Sequence, residues 1–145
     1  MAAMTDYLEN KLIDWLLRGQ AYTPPATSYI GLLTAAPSDS AAGTEVSGGS
    51  YARVAVASNA TNWNSTDGDN DAASSGTDGT TENDTVVTFP APTANWGSVT
   101  HFGIYDASTA GNLLIHSALT TAKTINNGDP APSFPVSALS FQIDN

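Results

Sequence analysis

The 145-residue chain contains no cysteine. That removes disulfide frameworks, thiolate zinc sites and cysteine nucleophiles at a stroke. Basic residues are almost as scarce: Lys11, Arg18, Arg53 and Lys123 stand against fourteen acidic residues, for a formal net charge of −10. Nucleic-acid binding by counterion release needs clustered Lys and Arg, and these four are scattered. Anionic membrane surfaces are disfavoured on the same ground. No apolar run approaches the roughly 20 residues of a membrane span. No basic segment followed by an apolar stretch opens the chain, so no secretory signal is expected. Long repeats of solenoid, collagen or coiled-coil type are missing as well.

What remains is abundant Thr, Ser, Ala, Gly and Asn, the palette of solvent-facing β-structure and turns. A chain of this length buries roughly 70% of its unfolded surface, enough for one core without staples. Residues 1–145 are therefore expected to form a single β-rich domain.

One helix is expected, over residues 6–18. Asp6, with Glu9 three residues later, forms a capping-box-like start, and Thr5 is an alternative cap. Leu8, Leu12, Trp15 and Leu16 recur at i, i+4, i+7 and i+8 and make one apolar stripe, widened by Ile13 and Leu17. Gly19 suits the position after the last turn. Such a stripe either packs on the domain's own sheet or docks on another chain. These four stripe residues are the candidate interface.

After the Thr23-Pro24-Pro25 break, residues 28–34 read as an apolar strand interrupted by Gly31, a sign of close approach by a neighbouring element. Residues 51–57 alternate as a second strand. TVVTF at 85–89 is a short one. Residues 98–106 and 112–119 form a hairpin around a five-residue loop with a glycine. A short strand at 123–126, a turn at Asn127-Gly128-Asp129 and a last strand at 136–143 complete the set. Six or more strands with frequent turns and one N-terminal amphipathic helix predict a mainly β fold, a β-sandwich or jelly-roll-like body.

Residues 64–84 are rich in small polar and acidic residues and read as an acidic surface loop. Asp67, Asp69 and Asp71 have the 1-3-5 spacing of a calcium loop, with Asp78 at position 12. Position 6 holds Ala72 rather than glycine, and position 12 lacks the bidentate glutamate, so a solvated acidic loop is the better reading. His101 and His116 lie in the two arms of the hairpin, and two histidines without a third ligand make a poor metal site. No G-x-S-x-G elbow and no convergent catalytic set is present. No enzyme activity, metal or cofactor is expected. Trp96 and the dispersed tyrosines suit core or interface anchoring better than sugar stacking.

The segments TDYLENKLIDWLLRG, YTPPATSYIGLLTAAP, GTEVSGGSYARVAV and WGSVTHFGIYDASTAGNLL together resemble a family of small tailed-bacteriophage virion proteins. Its members are labelled tail fibre proteins, and similar chains act as capsid decoration (cement) proteins. The resemblance covers residues 5–57 and 85–143, while 64–84 is longer and more polar than the family pattern. It implies a non-enzymatic structural protein at the surface of a phage virion. The partners implied are the major capsid protein or other virion proteins, and a homotrimer is expected. With no shaft or stalk in the sequence, capsid decoration is favoured over a tail fibre or a receptor- or glycan-binding tail tip.

Overall fold

A computed structural model describes residues 2–65, 73, 74, 77 and 79–143. The fold is mainly β with one helix near its start, as the turn-rich sequence predicts. The elements run β1 (Ala3–Met4), α1 (Asp6–Leu17), β2 (Thr27–Ala35), β3 (Thr44–Glu45), β4 (Val54–Ala57), β5 (Thr80–Glu82), β6 (Val87–Thr88), β7 (Gly97–Tyr105), β8 (Leu113–Ile125), β9 (Ser133–Phe134) and β10 (Ser140–Gln142). Six strands form an antiparallel sheet in the order β1-β8-β7-β2-β3, with β4 also paired to β2. Two ribbons, β5–β10 and β6–β9, complete the body.

Alternation along the strands decides the layers. Ile30 and Leu32 of β2, and Phe102 and Ile104 of β7, pack with Val87, Phe89, Trp96 and Leu139, joined by Trp63 and Phe134. The ribbons thus cover one face of the main sheet. Aromatic rings knit this core: Tyr51 stands edge-on to Trp96 at 5.3 Å, and Phe134 meets both Phe89 and Phe102.

On the other face, Gly31 and Gly103 are register partners. A Cβ on Gly31 would come within 2.9 Å of the Tyr105 ring and 3.0 Å of Glu45 Oε1. The close approach anticipated at Gly31 is real, and it comes from side chains of the flanking strands.

Several boundaries differ from the sequence reading. The second strand begins at Val54 rather than residue 51, because Ser50 takes a positive φ of 63° and turns Tyr51 toward the core. The strands read at 112–119 and 123–126 are one, β8. Its register against β7 jumps from His101↔Ala118 to Val99↔Lys123, so a bulge carries the strand through Leu119–Ala122. The reading of 64–84 as loop fails at its C-terminal end. Thr80–Glu82 forms β5 against β10, and Asn83 is fully buried. The Asn83 side chain donates to the carbonyls of Thr85 and Pro135, and its Oδ1 accepts from the Leu139 amide. A polar residue is affordable there because every one of its hydrogen-bonding groups is satisfied. Asp67, Asp69, Asp71 and Asp78, the calcium-like spacing, lie outside the described residues.

Candidate functional site

The helix start differs in one respect from the capping expectation. Thr5 is the N-cap, and Asp6 is the first helical residue. The Thr5 hydroxyl makes no capping bond and instead donates to the Leu113 carbonyl at 2.6 Å. The Thr5 amide donates to Leu114 O, and the Asp6 amide to Asp39 O. The N-terminal end of α1 is therefore fastened to β8 and to the loop after β2, and the helix contacts β8 and β1.

That anchoring divides the candidate interface. Leu8 is buried and Leu12 is half-buried. Trp15 and Leu16 are 57% and 70% exposed, and Ile13 and Leu17 are exposed beside them. The four candidates share one stripe, but its cover fades from Leu8 through Leu12 and is lost at Trp15 and Leu16. The last turn ends at Gly19 (φ +68°), with Gln20 donating its amide back to Asp14 O. Arg18 pairs with Asp14 at 2.8 Å.

A second apolar surface went unread in the sequence. An open groove of about 330 Å³ lies between the main sheet and the β5–β10 ribbon. Its walls include Pro24, Pro25, Trp63, Ile104, Ile115 and Phe141, with Ser28 and Ser58 also lining it. None of its lining residues is charged. These lining residues come from six separated stretches of chain, so no local pattern could reveal it.

The most strongly polar cluster is built around Arg53. Its guanidinium, with the side chain 7% exposed, forms a two-pronged pair with Glu45 at 2.8 and 2.7 Å. It also donates to the carbonyls of Ala107 and Ala110, and lies 3.4 Å over the Tyr105 ring. Tyr51 donates its hydroxyl to Glu45 and accepts the Leu32 amide. Burial works against the Arg53 charge, yet the hydrogen bonds and charge of Glu45 hold its pKa above the ordinary value. Burial, reinforced by the Glu45 charge, pushes Tyr105 up to about 12 and Tyr51 higher still. Both phenols therefore stay neutral near pH 7. Every strong donor here is spent on the protein's own backbone or on Glu45. The cluster ties β3, the segment leading into β4 and the β7–β8 loop together as a structural brace.

His101 and His116 do face the same side of the hairpin, since His116 pairs with Gly103, two residues along from His101. His116 Nε2 is buried without a hydrogen-bond partner, and Asp39 Oδ1 lies 3.7 Å away. Among the described residues, no three of His, Cys, Asp and Glu come together as a metal-binding group. Of the aromatics weighed for sugar stacking, Trp96 and Tyr105 are buried and Tyr51 packs on the core.

Comparison with known proteins bears on these surfaces. The model of the family described as "Podophage GP4 fiber I protein gp80" matches residues 3–142. The match runs from β1 through β10, so the chain belongs to this family of tailed-phage virion proteins. No curated protein gave a significant match.

Proposed function

We propose that this member of the podophage fibre I family is a non-enzymatic structural subunit that decorates the outer surface of the capsid shell. It contacts the major capsid protein or other virion proteins, and it assembles as a homotrimer. The observation that carries the reading is the half-anchored helix. Its first turn is fixed to the sheet, and its last turn presents Trp15, Leu16 and Leu17 to solvent on a body of net charge −10. Exposed apolar residues grouped on a rigid element are the signature of a protein–protein contact. The polar clusters support a non-enzymatic role. Arg53 is engaged with Glu45 and the carbonyls of Ala107 and Ala110, and His116 lies beside Asp39. The described residues fold into a compact two-layer body, which suits a unit added in many copies to a shell.

A second reading is a tail fibre or tail-tip protein with a receptor- or glycan-binding role, and the word "fiber" in the family's description is compatible with it. Cryo-electron microscopy of intact particles separates the two. Density fitting this fold on the capsid surface supports decoration. Density only at the tail overturns it in favour of the fibre.

A further inference from the structure

We propose that the exposed last turn of α1 meets the same turn of two further copies of this chain, so that three helix ends pack around a three-fold axis. The inference rests on the reading of the helix as an intermolecular element and names its partner.

Three observations lead there. First, the uncovered surface is large. Ile13, Trp15, Leu16 and Leu17 are each more than half exposed. Together they show about 500 Å² of apolar surface, the size of the largest patch on an ordinary monomer. Three copies meeting there remove about 1,500 Å², close to the roughly 1,600 Å² buried in a complex of standard size. Second, the patch is too wide for one neighbour. At about 100° per residue, Trp15, Leu16, Ile13 and Leu17 follow one another over about 200° of the helix circumference. A helix that faces one partner needs a stripe about half as wide. This arc has two flanks, Trp15 with Leu16 on one side and Ile13 with Leu17 on the other. Third, strongly acidic copies can approach one another there. Residues 10–38 carry only Lys11, Asp14 and Arg18 as charged residues, in a chain with fourteen acidic ones. Arg18 is already paired with Asp14 at 2.8 Å, so neither brings an uncompensated charge. Both stand on the side of the helix opposite Leu16. Asp6 and Glu9 belong to the first turn, which is fastened to the body.

Because the two flanks differ, each contact is heterologous: the Trp15–Leu16 flank of one copy packs on the Ile13–Leu17 flank of the next. Every helix then touches two neighbours, and three copies are the smallest ring that allows it. Leu16, midway along the arc, points at the axis.

The chain has no cysteine, so a single introduced thiol reports on the axis. Full-length Leu16→Cys under mild oxidation should give a disulfide-linked dimer, with the third chain of each ring left free. Light scattering of the wild type should show a trimer in the micromolar range. Added salt should strengthen it, because screening relieves the repulsion between acidic copies. Leu16→Asp should raise the dissociation constant roughly ten- to a hundredfold, the effect of burying one leucine. Its circular dichroism should be unchanged, since Leu16 touches solvent in the monomer. Val86→Asp, at an exposed apolar residue off the helix, should leave the trimer intact. A wild type that scatters as a dimer, or a trimer that Leu16→Asp leaves intact, would overturn the proposal. So would a monomeric wild type, and if it bound isolated capsids through Leu16 the decoration reading would stand. A trimer that dissociates with Leu16→Asp but never binds capsids would do the reverse.

Discussion

Arg53→Ala is the perturbation whose cost can be worked most directly from the structure. The guanidinium is nearly fully buried, and it meets Glu45 through two bonds and two backbone carbonyls through two more. Removing one partner of a buried, hydrogen-bonded ion pair costs roughly 3–5 kcal/mol, mostly because the other charge is left uncompensated. Glu45 remains about a quarter exposed and keeps its bond from Tyr51, which draws the expectation to the lower end, about 3–4 kcal/mol. For a chain of this length each kcal/mol moves the melting temperature by about 3 °C, so the loss is about 10 °C. Thermal unfolding by circular dichroism, with urea denaturation for the free energy, measures it. Arg53→Lys retains the charge but not the planar fork, and it should recover less than half of the loss. A double-mutant cycle with Glu45→Gln should give a coupling of at least about 1 kcal/mol. A fall of less than about 3 °C for Arg53→Ala, or no coupling to Glu45, would refute the view that this brace holds the sheet edge to the β7–β8 loop.

Asn83→Ala removes three side-chain hydrogen bonds at a fully buried site and should cost about 3 kcal/mol in urea denaturation. Leu8→Asp buries a charge against the sheet and should destabilise the fold severely, whereas Leu16→Asp should change monomer stability by under about 0.5 kcal/mol. Equal effects in the two would show that the stripe is packed throughout. His101 has its pKa lowered, first by burial and then by the neighbouring His116. The folded state thus favours the neutral ring. Its contribution is complete above the unfolded value of 6.5 and is lost as pH falls below it. His101→Gln should flatten the decline in melting temperature between pH 6.5 and about 5, with Asp39 and His116 left in place.

Local rules reached far into this chain. The helix, the strand at 28–34 and the 98–119 hairpin were legible because their patterns and breakers act over a few residues: apolar spacing near 3.6, alternation near 2, prolines after the helix and a glycine in the hairpin loop. The stripe Leu8, Leu12, Trp15 and Leu16 was equally visible, as was the combination of segments that marks the family. Whether that stripe is buried was not written in it. The answer came from Thr5 and Asp6 bonding to β8 and to Asp39, which cover Leu8 and leave Trp15 and Leu16 in water. β5 escaped notice because Thr80–Glu82 is polar. It is held by pairing with β10 nearly sixty residues away and by the bonds of Asn83, and neither leaves a periodic trace. The Arg53 brace and the apolar groove are likewise products of distant segments meeting. Sequence by itself determined the elements that carry a periodic apolar pattern and which of their faces are apolar, since those depend on neighbours along the chain. Only the tertiary structure decided which of those faces are covered, because burial depends on where the chain returns.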